Sequence, residues 1–423
     1  MPTGFRVFLA ITALLMISCM AGVVTAASIG NEWKERIPFE GSSYNGLVFS
    51  ADGSKIFAGG SQMYLRSWDG KEHWGGRPGF VTAMSSDGNY VVYGQGNSLV
   101  VLFRDGGENW TRNMDGDVRA VAVSGDGKYV VAADNKGNIN TWTIDGEFYA
   151  RNTTDLIKQI AISPSDTLVV ATTETGLKFF TPALSPVWSD TKNGSIDTDI
   201  FFSGDGSTII TSGGKRVSSH TNTGRLNWMN DVSKSAILGT ACSYDCSVIV
   251  ISSQDGNIQA LDRYGTVHWT YPVGPWINSV AVSRDARAIV GAGIDRNLYV
   301  LSNAGKLLAK KQMDTIIHPR SIAMSRDGQR IVVADENNLN GLILSLDSDK
   351  PELVTLIPRT TAQYTGTPTP APTAETTVPA TPVISMPVTA VPVTTTPKSP
   401  LDPVTALVAL GAGLSLVQGV RKH

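Results

Sequence analysis

Apolar residues along this chain come in short unbroken runs rather than at helical or strictly alternating spacing. The run Val121-Ala122-Val123 leads into polar Ser124-Gly125-Asp126-Gly127-Lys128, and a second run, Tyr129-Val130-Val131, follows. Such a run predicts a strand covered on both faces, and Ser-x-Asp-Gly predicts a tight turn. The hairpin recurs eight times, with its serine at Ser50, Ser85, Ser124, Ser163, Ser203, Ser243, Ser283 and Ser325. The steps between serines are 35, 39, 39, 40, 40, 40 and 42 residues, the period of an array of four-stranded blades.

Aligned on those serines, the units share a physical pattern. Six residues later stand Ile56, Val91, Val130, Val169, Ile209, Ile249, Ile289 and Ile331, all β-branched. Two residues earlier, six units carry alanine, which suits an innermost strand where neighbouring blades crowd the axis. Two residues after the serine, seven units carry aspartate: Asp52, Asp87, Asp126, Asp205, Asp245, Asp285 and Asp327. Seven carboxylates in register invite a metal or acid-site reading. Their turn phase favours local bonding to backbone N–H groups instead, because a metal site needs ligands converging from several strands.

A further strand in most units carries tryptophan four residues after glycine, as in Gly70/Trp74, Gly106/Trp110, Gly224/Trp228 and Gly265/Trp269. Trp188 keeps the phase, while Ala150 and Ala309 replace it in two units. A repeated tryptophan phase predicts packing between blades rather than ligand stacking. Four strands in each of eight units make an all-β, eight-bladed β-propeller. Trp33-Lys34-Glu35-Arg36-Ile37 reads as a fourth strand with no blade before it and is expected to complete the last blade, with Glu352–Ile357 as its competitor.

The Ser-x-Asp-Gly hairpins resemble those of WD-repeat-like and YVTN-type surface-layer propellers, and the Gly-x-x-x-Trp strands resemble quinoprotein-like (PQQ-type) repeats. The resemblance covers about three-quarters of the chain and implies architecture, not function. Quinoprotein enzymes would imply adjacent cysteines and a calcium–quinone site. The chain has no Cys-Cys dipeptide, so that activity is not carried over and no cofactor is expected.

Outside the array, composition changes. Residues 1–26 read as a signal peptide: Arg6, an apolar run from Val7 to Met20, and small residues before Ala27. The propeller is expected over 31–357, a Thr/Pro-rich stalk over 358–402 and a C-terminal transmembrane anchor with a basic tail over 403–423. Val404 to Val420 rises roughly 25 Å as a helix, at the short limit for spanning a membrane. Arg421-Lys422-His423 would stay inside, placing the propeller at the cell surface. This order of segments resembles archaeal surface proteins anchored at the C-terminus. After leader cleavage only Cys242 and Cys246 remain, and two readings stay open: a local disulfide across the turn, or two unrelated thiols.

A net charge of −2 excludes a nucleic-acid partner held by bulk electrostatics. No phosphate loop or metal-spaced Cys/His set occurs, and the five histidines are scattered. Sequons at Asn109, Asn152 and Asn193 are glycosylation candidates. Five residues before each serine stand Asn45, Phe80, Arg119, Lys158, Thr198, Leu238, Asn278 and Arg320, a ring expected at one channel mouth. With Arg77 and Trp276 nearby, its basic residues and lack of acids suggest an anionic or carbohydrate ligand. The expected protein is a monomeric, non-enzymatic binding, adhesion or envelope-scaffold module, its partner a surface glycan or envelope protein. The alternative is a quinoprotein-like or other propeller enzyme with a site at that mouth. On either reading, function is expected on the face opposite the Ser-x-Asp-Gly turns.

Overall fold

The computed structural model describes residues 27–36, 46–79, 81–190 and 199–346, and they form eight antiparallel sheets. The second sheet is typical: Val81–Met84, Tyr90–Gln95, Ser98–Phe103 and Glu108–Asn113 lie side by side in chain order. First strands of successive blades touch around the axis, and Gly46–Phe49 of the first blade meets Ile317–Met324 of the eighth. The ring is therefore closed. Seven sheets have four strands. The first departs from the expected count, because Lys55–Ser67 runs as one 13-residue strand. Its first half pairs with Gly46–Phe49 and its second with Glu72–Gly79. This unit precedes the shortest step in the array, 35 residues.

The N-terminal segment closes the last blade, as expected. Ala27–Arg36 pairs antiparallel with Asn338–Leu346 and takes the outer place. The seam is reinforced by charge. Arg66 of the first blade, 2% exposed, bonds Glu35 of that N-terminal strand at 2.6 Å and Glu72 at 2.7 Å. Arg330 of the eighth donates to Gly53 O at 2.8 Å. The competing Glu352–Ile357 segment, the leader, the stalk and Val404–Val420 lie outside the described residues. Among the described residues no helix is long and apolar enough to cross a membrane.

The core is a set of slabs between blades. Ile56 packs with Val332 and Leu339 of the eighth blade, whereas the next residue, Phe57, packs with Val91 and Leu102 of the second. Adjacent apolar residues serve opposite neighbours, which is why the runs do not alternate. Tryptophan seals the outer part of six interfaces. Trp33, Trp74, Trp110, Trp188, Trp228 and Trp269 lie against Gly70, Gly106, Gly146, Gly224, Gly265 and Gly305 of the following blade. Those glycines have φ between 76° and 84°, and a Cβ at Gly106 would stand 2.7 Å from Trp74 Cγ. Both constraints require glycine. Four indoles also donate to the carbonyl two residues before that glycine: Trp33 to Trp68, Trp110 to Ile144, Trp228 to Arg263 and Trp269 to Asn303, at 2.5–2.7 Å.

The turn aspartates are structural. In all eight hairpins the serine Oγ accepts the backbone N–H five residues on, as Ser124 does from Tyr129 at 2.9 Å and Ser283 from Ala288 at 3.1 Å. In seven, the aspartate accepts the serine hydroxyl and a backbone N–H two residues later. The Ser50 hydroxyl and the Ser54 N–H hold Asp52 down to about 2. Each such bond contributes about 1 kcal/mol net.

Candidate functional site

The upper mouth of the channel is shaped by β-bulges. In the innermost strands the register slips by one residue at Arg119, Lys158, Leu238 and Asn278, the positions expected to ring the mouth. A bulge leaves one residue out of the ladder and re-aims its side chain. Arg119 and Lys158 are exposed there. Trp276, 49% exposed, stands just before the seventh blade's inner strand. Asn45, Phe80 and Thr198 lie outside the described residues.

Three of the expected ligand contacts sit differently. Asn278 is 6% exposed and donates to Ile317 O of the next blade at 2.7 Å, so it ties blades together. Arg77 lies on the outer strand Glu72–Gly79, its guanidinium 5.7 Å from the Trp74 ring centre. There it faces Tyr93, partly offsetting the burial that pushes that hydroxyl's pKa up. Arg320 is at the mouth, but it is neutralised. Its Nη2 reaches Asp199 Oδ1 of the fifth blade at 2.6 Å. The mouth is therefore not free of acid. The serine spacing puts Thr198 in that position, one residue short of Asp199.

The last blade makes this reach. Between Ile317↔Asp335 and Ile322↔Val333, four residues face one on the partner strand. That leaves three residues over where the other bulges leave one, and the two additional residues lengthen the last step from 40 to 42. Arg320, at φ 60°, sits in this widened bulge.

Below the mouth lies a cavity of about 500 Å³ along the axis, walled by residues such as Val48, Met84, Phe201, Ala241, Ala281 and Met324. Asp199 and Arg320 line it at one end and Arg326 at the other. Among the described residues no group of three His, Cys, Asp or Glu could hold a metal ion.

The remaining sequence candidates are also placed. Asn109 Nδ2 donates to Ile144 O at 2.8 Å and Asn152 Nδ2 to Leu184 O at 2.9 Å, so each glycan-accepting nitrogen is engaged by the next blade. Asn193 lies outside the described residues. Cys242 and Cys246 are paired across their turn, with Cα atoms 5.0 Å apart.

A family model described as outer membrane protein assembly factor BamB, of the PQQ type, matches residues 179–340. Over that stretch the repeats are similar to PQQ-type repeats. No curated protein matches the chain. Among solved structures, the computationally designed Ika8 protein aligns with a TM-score of 0.61 at 17% identity, over 73% of this chain and 98% of its own. At that identity the likeness speaks to the fold alone.

Proposed function

We propose that the protein is a non-enzymatic binding or scaffold module whose propeller is displayed at the cell surface, held by the apolar segment that follows the Thr/Pro stalk. One observation carries the binding reading. The repeat keeps its turns and core alike from blade to blade, yet the residue bulged out of the inner strand is in turn Arg119, Lys158, Leu238 and Asn278, and Arg119 and Lys158 face solvent at one channel mouth. The carboxylates in register, which an enzyme reading would recruit, are committed to turn hydrogen bonds. An acidic glycan or envelope polymer suits Arg119 and Lys158, with Trp276 as a stacking face.

The test is retention of the full-length chain on acidic envelope glycans, compared with Arg119→Ala/Lys158→Ala. Loss of retention in the double variant is expected; unchanged retention removes this surface from the proposal. Stoichiometric calcium or quinone in the purified protein would instead favour the enzyme.

A further inference from the structure

At its other mouth the cavity is lined by Ala51, Ser86 and Arg326, each directly after a turn serine. The residues in that place are small from Ala51 to Gly204 in the first five blades and become Tyr244, Arg284 and Arg326 in the last three. Backbone bonds join consecutive turns here: Gly204 N to Tyr244 O at 2.5 Å, Tyr244 N to Arg284 O at 3.0 Å and Arg284 N to Arg326 O at 3.1 Å. The Tyr244 ring, 40% exposed, lies over Gly204, where any Cβ would fall inside it. On the ring sits the Arg284 guanidinium, 3.7 Å from its centre.

Both arginines are exposed, and among the described residues neither guanidinium pairs with a carboxylate. The nearby acids are taken. Asp245 accepts from Ser243, Ser247 and Arg263, Asp285 from Ser283 and Arg287, and Asp327 from Ser325 and Gln329. Arg326 also lines the cavity, whose wall beyond it mixes apolar residues such as Phe201, Met84, Met324 and Val48 with polar Ser279, Thr240 and Gln159. At the far end Arg320 and Asp199 cancel each other's charge. The cavity thus runs from the cationic Arg326 end past a mainly apolar wall to the neutralised Arg320–Asp199 pair.

We infer that this mouth admits a small anionic ligand with an apolar body. Its carboxylate or phosphate head sits on Arg284 and Arg326, and its body lies in the cavity. Two guanidiniums supply directed, charge-assisted donors to such a head. A volume of about 500 Å³ falls within the range of small-molecule sites. The site lies on the turn face, opposite Arg119 and Lys158, so either proposal can fail without the other.

Titration calorimetry of the full-length chain decides it, with phenylbutyrate and phenyl phosphate as anionic probes, phenylbutylamine as the cationic match and acetate as the bare head. One anionic probe is expected to bind at one per chain, at least about tenfold tighter than the amine or acetate. Arg284→Ala/Arg326→Ala should weaken it about tenfold or more, with an unchanged melting temperature, and Arg119→Ala/Lys158→Ala should leave it unaltered. The inference is overturned if neither anion binds, if the amine or acetate binds equally well, or if the Arg284/Arg326 variant binds like the parent. Preference between the two anions identifies the head group.

Discussion

Ala150 and Leu184 fill the third-to-fourth blade interface with the sizes reversed relative to the tryptophan–glycine contacts elsewhere. Ala150 holds the tryptophan phase, and Leu184, 2% exposed at φ 55°, stands where the other turns have glycine. The equivalence is geometric. Asn152 donates to Leu184 O just as Asn230 and Arg112, each two residues after its tryptophan, donate to Gly265 O and Gly146 O. The space left by a small residue on one blade is taken by a large one on the next, as close packing requires.

A double-mutant cycle tests this exchange. Leu184→Gly alone should cost about 2–4 kcal/mol through the cavity it leaves, and Ala150→Trp alone should also destabilise by overpacking. Together they should recover at least about 1 kcal/mol relative to the sum, read as coupling in urea unfolding. Additive effects would show that the two side chains do not share a site.

His220 is fully buried between the rings of Phe179 and Trp188, with centroids 6.2 and 6.0 Å away, and neither ring nitrogen has a hydrogen-bond partner among the described residues. Burial lowers its pKa from 6.5 to about 4. The unfolded chain therefore binds the extra proton first, and stability should fall as pH drops from about 6.5 towards 4. His220→Phe should remove that slope and add about 1–3 kcal/mol at pH 5. Melting temperatures of both proteins across this range give the answer.

In the fourth blade the turn reads Ser163-Pro164-Ser165-Asp166, and Asp166 takes the glycine place at φ 56°. Its carboxyl meets that of Asp126 in the preceding turn. Burial first, and Asp126 second, raise Asp166 to about 6, whereas hydrogen bonds from Lys128 outweigh burial and keep Asp126 low. A raised acid favours the folded state while protonated, so its contribution is present below about 3.8 and lost as pH rises through about 6. Asp166→Asn should stabilise the protein at pH 7 by about 1 kcal/mol or less, since the group is only partly buried and solvent screens the pair. The difference from the parent should vanish near pH 4; a pH-independent difference would contradict the carboxyl pairing.

The Arg320–Asp199 tie joins blades 121 residues apart, yet Arg320 remains 45% exposed. Its coupling energy should be about 0–1 kcal/mol in a cycle of Arg320→Ala and Asp199→Ala, and should shrink at high salt. Salt-insensitive coupling would point to a packing role.

The fold was legible in the chain because its causes are local. A serine that bonds the N–H five residues on, an aspartate that caps its own turn and a β-branched pair facing two neighbours repeat with the period and need no distant partner to be recognised. The N-terminal strand could be assigned to the last blade because Trp33 shares the phase of the other tryptophans. Even the step of 42 residues announced where the ring is irregular.

What that irregularity does was decided only in three dimensions. A bulge determines direction, and direction turned Asn278 inward to Ile317 and Arg320 across to Asp199. Arg77 proved to be an outer-strand residue because only the register with Met63 fixes its place. The turn face, which by repetition alone is scaffold, acquired an exposed arginine rim because blade closure sets Tyr244, Arg284 and Arg326 side by side. Local hydrogen bonding and hydrophobic period specify the blades. Charge at the channel depends on which blades meet across the axis, and no short stretch of sequence contains that distance.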